Sequence, residues 1–192
     1  MGVSTVTDPY QPAESEFKLT RRCLEVLSEN RFPVSIQTKS DLVLRDIDVI
    51  KPVGFEVGVT ITTLDESIGR KIEPQASRPA SRVKVLEEFY SRGVKTWIFF
   101  GPIIPSINDS ADNITEVLDV ARRTESRVLY DKLNIKRWVL ERMAPTLQKL
   151  NAELIKEIPR LVATDSDWWR TISSCIRTKS REESVIAEAA FK

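Results

Sequence analysis

The sequence contains no histidine and only two cysteines, Cys23 and Cys175, among its 192 residues. The missing histidine excludes Ser-His-Asp and Cys-His catalysis and every metal site that needs an imidazole ligand. The two cysteines lie far apart and match no zinc or redox spacing, and an iron-sulfur cluster needs three or four thiolates. The chain therefore has no ligand set of its own for such a cluster.

Positive and negative charges nearly balance, because the chain has 29 Lys and Arg residues and 28 Asp and Glu residues. No global field therefore points to nucleic acid or to an anionic membrane as a partner. The amino terminus has neither the basic nor the apolar region of a signal peptide, and no apolar run reaches the roughly 18 residues of a membrane span. We expect a cytoplasmic protein without a membrane segment.

What is present is a regular alternation of helical and strand patterns. Leu19, Cys23, Val26 and Leu27 share one face of a helix expected over residues 15–29, which makes Cys23 a small core residue. Strands are expected in a segment ending at Thr5-Val6-Thr7 and at 33–38, 55–61, 96–100 and 127–130. Further helical patterns follow at 40–47, 83–90 and 110–121.

This alternation predicts an α/β fold of consecutive βα units around a parallel sheet. Beyond Asn134 the pattern becomes helical, roughly over 137–158, and continues through Trp168-Trp169 to a charged end. We therefore divide the chain into a βα domain over 1–136 and a helical C-terminal extension over 137–192.

Polar or turn-forming residues follow every expected strand. In parallel sheets and barrels the active face lies beyond the carboxyl ends of the strands, so these residues are the candidate site. They are Thr7, Asp8, Gln11 and Glu14; Lys39 and Ser40; Thr62 and Thr63; Gly101, Pro102 and Ile103; and Tyr130, Asp131, Lys132 and Asn134. Asp, Ser and Thr are also ordinary helix caps, so each of them has a simpler structural interpretation. Lysine is neither a cap nor a core residue, and lysine side chains often reach solvent.

Several segments together resemble the radical SAM proteins of the spore photoproduct lyase-like group. They span residues 3–136 in order: STVTDPYQPAE, TRRCLEVL, FPVSIQTKSDLVLRDID, FEVGVTITTLDE, FFGPIIPSINDS and YDKLNIK. The resemblance implies a partial TIM barrel in which a CxxxCxxC loop after the first strand holds a four-iron four-sulfur cluster. The strand ending at Thr5-Val6-Thr7 resembles the second strand of the family. The chain is therefore expected to be truncated, without the first βα unit and the cluster loop.

The chemistry that the resemblance implies is reductive cleavage of S-adenosylmethionine to a 5′-deoxyadenosyl radical. By position, Thr7 to Glu14 resemble the region that meets the amino-acid end of this cofactor, and Lys39 and Ser40 lie near cofactor or substrate. Thr62 and Thr63 resemble the strand end near the ribose. The turn from Gly101 to Ile103 resembles the adenine support, and Tyr130 to Asn134 lie beside it. No catalytic residue or metal ligand is implied for this chain.

Three hypotheses follow. The first is a radical SAM enzyme fragment that is inert alone and acts when a missing N-terminal half and an electron donor are supplied. The second is a binding module for S-adenosylmethionine or a nucleotide that has lost the cluster. The third is a small aldolase-like barrel in which Lys39 or Lys132 forms an imine. The group name suggests a DNA photoproduct as substrate, but the near-neutral charge adds little support for DNA as a partner.

Overall fold

The computed structural model describes residues 1–3, 7–135, 137–151 and 153–190. The strands are β1 (Gly2–Val3), β2 (Val34–Thr38), β3 (Phe55–Ile61), β4 (Lys95–Ile103), β5 (Arg127–Lys132) and β6 (Ala187–Ala189). The helices are α1 (Glu14–Phe17), α2 (Leu19–Glu29), α3 (Glu66–Ile72), α4 (Pro79–Ser91), α5 (Ala111–Arg123), α6 (Arg137–Leu150), α7 (Leu154–Leu161) and α8 (Asp167–Glu182), with a 3-10 helix at Asp41–Asp46.

The strands form one six-stranded parallel sheet in the order β1-β2-β3-β4-β5-β6. The expected α/β class, a parallel open sheet like part of a TIM barrel, is confirmed. Of the expected first strand, Thr5 and Val6 lie outside the described residues, and the described strand there is β1. None of the described helices is long and apolar enough to cross a membrane.

One face of the sheet carries the hydrophobic core. Alternate residues of β3, such as Val57 and Val59, are buried there against Phe89 of α4 and Leu118 of α5. Leu24 of α2 and residues of α8 join the same cluster. Side chains alternate between the two faces of a strand, so the intervening positions point to the opposite side.

We call the opposite side the open face. It is made of Ser35 and Gln37 of β2; Glu56, Gly58 and Thr60 of β3; Trp97 and Phe99 of β4; and Arg127, Leu129 and Asp131 of β5. None of these residues belongs to either of the hydrophobic clusters found in the described part of the chain. Parallel sheets are usually covered on both faces, so this mostly polar second face stands out as a surface for a ligand or for further protein.

Helix α2 presents a different face to the core from the one that its sequence predicts. Leu24 is fully buried, whereas Leu19 and Val26 are 58% and 57% exposed, and Cys23 is exposed as well. The prediction that Cys23 is a core residue is therefore wrong. The inward side of α2 instead carries Leu24, Leu27 and Arg21, which forms an ion pair with the fully buried Asp46 at 3.2 Å.

The C-terminal part packs at the carboxyl ends of β4 and β5, covers the core face and adds an edge strand. Helices α6 and α7 form a second hydrophobic cluster with Ile104 and Leu133, which follow β4 and β5. Helix α8 packs on the core face, and β6 then pairs with β5, a strand that the sequence analysis did not expect. The Trp169 ring lies 5.9 Å from the ring of Tyr130, and Trp168 Nε1 donates a hydrogen bond to Asp109 at 2.8 Å.

Candidate functional site

The carboxyl ends of the strands hold many of the predicted site residues, and the structure assigns several of them to internal support. Asp8 accepts hydrogen bonds from the backbone nitrogen of Tyr10 at 2.9 Å, Thr38 Oγ1 at 2.7 Å and the backbone nitrogen of Lys39 at 2.7 Å. Its carboxylate therefore fastens the loop after β1 to the end of β2. Ser40 also has a structural role, because its hydroxyl accepts from the backbone nitrogen of Leu42 and caps the 3-10 helix.

Glu14 belongs to a buried charge network. Its side chain accepts hydrogen bonds from the backbone of Thr20 at 2.9 Å and from Arg45 at 2.8 Å. Burial opposes ionisation of Glu14, but these hydrogen bonds together hold its pKa below the ordinary value. Arg45 also pairs with Asp46, which accepts from the Tyr10 hydroxyl at 3.1 Å. Burial and the charge of Asp46 raise the pKa of Tyr10.

Lys39 lies at the end of β2 with its ammonium 2.6 Å from Glu73. Glu73 also accepts from the buried Arg82 at 2.7 Å. Burial opposes the charge of Glu73, but the two cations together lower its pKa. Lys39 is therefore an oriented cation, and its side chain is 39% exposed, so it remains accessible to a ligand.

Two buried asparagines clamp the ends of β3 and β4, and the sequence analysis did not identify them as a site feature. Asn108 Nδ2 donates to the carbonyl oxygens of Thr62 at 2.7 Å and Pro102 at 3.0 Å, and its Oδ1 accepts from the backbone of Ile104 at 2.6 Å. Asn113 Oδ1 accepts from the Thr63 hydroxyl at 3.0 Å. The sequence signal was present only as a run of ordinary capping residues from 108 to 110.

The threonines after β3 and the turn within β4 are packed against each other. The Thr62 hydroxyl donates to the carbonyl oxygen of Gly101 at 3.2 Å, and the Gly101-Pro102 peptide bond is cis. A Cβ at Gly101 would lie 2.9 Å from the Phe99 ring and 3.0 Å from the carbonyl oxygen of Asp131, so only glycine fits there. The Ile103 side chain is fully buried.

The end of β5 divides its side chains between the two faces of the sheet. Tyr130 and Lys132 point to the helix side, where Lys132 Nζ lies 5.4 Å from the Trp169 ring centre. Asp131 points to the open face, and its carboxylate accepts from the backbone nitrogen of Lys132 at 2.9 Å. Burial raises the pKa of Asp131 in spite of this hydrogen bond. Asn134 is exposed.

The structure therefore brings together a smaller set than the sequence predicts. Asp131 and the open-face residues Gln37, Thr60 and Phe99 are on the same side of the sheet, and Gln37 Nε2 donates to Thr60 Oγ1 at 3.2 Å. The sequence analysis missed these three. For Gln37 and Thr60 the signal was the period-two alternation in VSIQT and FEVGVTI, which places polar residues opposite the core, whereas Phe99 lies in the apolar run TWIFF, which does not distinguish the two faces. Thr7 and Gln11 are exposed in the loop after β1.

The amino ends of the central strands carry an aromatic and ionic cluster on the open face. The Trp97 ring covers Gly58, where a Cβ would lie 2.0 Å from a ring carbon. Arg127 lies 6.0 Å from the Trp97 ring centre and pairs with Glu56 at 3.0 Å. Among the described residues Trp97 Nε1 is buried without a hydrogen-bond partner.

Nothing in the described part of the chain forms a group of three or more His, Cys, Asp or Glu side chains suited to a metal ion. Cys23 is exposed on α2, and Cys175 is half-buried on α8. The residues of this chain therefore do not fit an iron-sulfur cluster, which needs at least three thiolates in one place.

Comparisons with known proteins give the following relatives. No protein-family model matches. An uncharacterized protein of Methanocaldococcus jannaschii is 42% identical over 108 residues, 56% of this chain and 41% of that protein. One from Mycobacterium tuberculosis is 27% identical over 122 residues, 62% of this chain and 36% of that protein. The chain thus spans less than half the length of these curated relatives.

Solved structures with a similar fold include a spore photoproduct lyase, a radical SAM methyltransferase and SuiB. A spore photoproduct lyase mutant with bound S-adenosylmethionine and dinucleoside spore photoproduct has a TM-score of 0.62, with 11% identity over 97% of this chain and 58% of that one. A radical SAM methyltransferase from Sphaerobacter thermophilus has a TM-score of 0.53, with 11% identity over 92% and 47% of the two chains. Streptococcus suis SuiB bound to S-adenosylmethionine has a TM-score of 0.51, with 14% identity over 74% and 35%. At these identities the likeness shows a radical SAM-like fold.

Proposed function

We propose that this chain is the S-adenosylmethionine-binding part of a radical SAM protein of the spore photoproduct lyase-like group. The observation that carries the proposal is the open face, where polar and aromatic side chains lie near the carboxyl ends of parallel strands and outside both hydrophobic clusters. Ligands of open α/β sheets bind at this end of the strands. Support comes from similarly folded proteins that were solved with S-adenosylmethionine bound.

The residues present fit the cofactor in chemical type. The Asp131 carboxylate suits the ammonium group or the ribose hydroxyls, and the oriented ammonium of Lys39 suits the carboxylate. The Phe99 ring suits the adenine, and Gln37 adds an amide donor and acceptor. Bound cofactor would supply a sulfonium-linked adenosyl group. The part of this chain is to hold that group with these side chains. Asp8 fixes the backbone of Lys39, and Thr62, Thr63 and the two asparagines brace the ends of β3 and β4.

The cluster ligands belong to another segment in this proposal. The two cysteines of this chain do not fit a cluster, so we derive no cleavage step from it. Two features support an additional βα unit: among the described residues β1 pairs on one side only, and the apolar residues Leu19 and Val26 of α2 are exposed. The greater length of the relatives points the same way.

The direct test of binding is equilibrium dialysis of the purified chain with S-adenosylmethionine. We expect saturable binding, which Asp131→Asn weakens by roughly 10-fold or more, because a hydrogen bond to a charged group contributes about 1.5–3 kcal/mol. The matched control is Asp112→Asn on α5, an exposed aspartate on the helix side, which should bind like the wild type. If the wild type does not bind saturably, the binding proposal is wrong.

The truncation is tested separately by the intact mass of the native product isolated from its source cells. A product larger than 21.9 kDa with an upstream CxxxCxxC supports the enzyme interpretation, in which an electron donor completes the system. A product near that mass supports the second candidate, a cluster-free binding module, which the unsuitable cysteine positions favour.

Fluorescence anisotropy with a labelled oligonucleotide tests DNA as the substrate, and the absence of any anisotropy change would contradict that assignment.

A further inference from the structure

A small pocket lies at the end of β5, where the loop between α7 and α8 meets the strand. Its volume is about 270 Å³. Its walls are the Trp169 ring, Val162 and Thr164 on one side and the end of β5, with Lys132, on the other. Lys132 lies on the helix side of β5, and Asp131, which also lines the pocket, borders the open face on which the S-adenosylmethionine site is proposed.

Lys132 has an unusual environment within this pocket. Its Nζ is shielded from solvent and has no hydrogen-bond partner among the described residues. The centre of the Trp169 ring lies 5.4 Å from the nitrogen. Burial lowers the pKa of Lys132, and the carboxylates of Asp131 and Asp165 oppose this shift without cancelling it. A desolvated amine holds a larger neutral fraction at neutral pH than an ordinary lysine does.

Two other lysines near the sheet differ from Lys132 in one respect. Lys39 pairs with Glu73 at 2.6 Å, and Lys179 donates to the Thr115 hydroxyl at 2.8 Å. Both ammonium groups therefore have a hydrogen-bond acceptor or an ion-pair partner. A buried polar group that lacks a partner needs an explanation, and buried unpaired amines are a known route to a nucleophile.

We propose that Lys132 is a reactive amine that forms an imine with a small aldehyde or ketone in this pocket. The nitrogen lone pair of the neutral amine attacks the carbonyl carbon, and a proton moves from nitrogen to oxygen to give a carbinolamine. Loss of the hydroxyl group as water then forms the carbon-nitrogen double bond. No oxidant or reductant is required. The flat Trp169 ring offers a surface on which the carbonyl compound rests.

The test uses the full chain with propionaldehyde and sodium cyanoborohydride at pH 7, under limited reaction, followed by proteolysis and mass spectrometry of every lysine. We expect Lys132 to carry the highest propyl occupancy, and its advantage over exposed lysines to disappear as the pH rises above 10. Burial alone predicts the opposite order, with Lys132 the most protected. An occupancy at pH 7 equal to or below that of Lys39 and Lys179 overturns the proposal.

Two variants complete the test. Lys132→Met should remove the preferred adduct, whereas the matched variant Lys179→Met, on α8, should leave the Lys132 adduct unchanged. If Lys132→Met does not fold, the occupancy ranking in the wild type alone decides. Cofactor binding is judged on the wild type and Asp131→Asn, and adduct formation on the wild type and Lys132→Met, so failure of the imine proposal and failure of the cofactor proposal are seen in different measurements.

Discussion

Replacing Asn108 by alanine should destabilise the protein strongly, because this side chain is 1% exposed and satisfies three backbone groups. The change leaves the carbonyl oxygens of Thr62 and Pro102 and the backbone N–H of Ile104 without their partner. An unsatisfied buried group costs about 1–3 kcal/mol, and the Pro102 oxygen is only partly buried, so we expect a loss of about 3 kcal/mol. A domain of this size loses about 2–4 °C in Tm per kcal/mol, which gives a fall of roughly 6–12 °C.

The assay is urea and thermal unfolding followed by circular dichroism, with Asn134→Ala as the matched control. Asn134 is exposed after β5, so its substitution should change stability by no more than about 0.5 kcal/mol. Asn108→Asp keeps the acceptor for Ile104 but sets a buried carboxylate oxygen against the carbonyl oxygens of Thr62 and Pro102, so at neutral pH it should destabilise the protein at least as much as Asn108→Ala. A loss below about 1 kcal/mol for Asn108→Ala would refute the view that this amide clamps the two strand ends.

Three further predictions follow from single contacts. Gly58→Ala should lower the free energy of unfolding in urea by about 1–3 kcal/mol, because the new Cβ would lie 2.0 Å from the Trp97 ring. An unchanged unfolding midpoint would contradict this. Asp131→Asn should raise the free energy of unfolding at pH 7 while weakening S-adenosylmethionine binding. The pKa of Asp131 is raised in the folded state, so the ionised carboxylate destabilises the fold at pH values above that pKa. Below the unfolded pKa, near pH 4, this effect is absent, and wild type and Asp131→Asn should unfold alike. Under native conditions a thiol reagent should modify the exposed Cys23 faster than the half-buried Cys175, and equal rates would contradict the orientation of α2.

The elements that sequence predicts well are those whose pattern is local. The strands at β2, β3, β4 and β5 are short apolar or alternating runs bounded by glycine, proline and polar residues, and the structure has them within a few residues of the expected bounds. Repeated βα units leave few alternatives to a parallel sheet, so the fold class followed from the same patterns.

The inward face of α2 shows why local patterns fail elsewhere. Leu19, Cys23, Val26 and Leu27 form a regular stripe, yet the core receives Leu24 and Leu27, while the other three are exposed. The inward side of α2 also carries Arg21, which pairs with the buried Asp46 in the 3-10 helix, 25 residues further along the chain. A hydrophobic stripe gives the period of a helix, but the partner that satisfies a buried charge decides its rotation, and that partner is not visible in the sequence of α2 itself.

By itself, the sequence determined the alternation of helices and strands, the parallel sheet and the positions of the strand ends, because each of these depends on side chains close to one another along the chain. Only the tertiary structure decided which strand-end groups remain available. Asp8, Thr62 and Thr63 are committed to hydrogen bonds with distant residues, whereas Asp131 and Lys132, adjacent in sequence, separate to opposite faces of the sheet. The physical reason is that a buried polar group must find a partner, and that partner comes from wherever the fold brings one near.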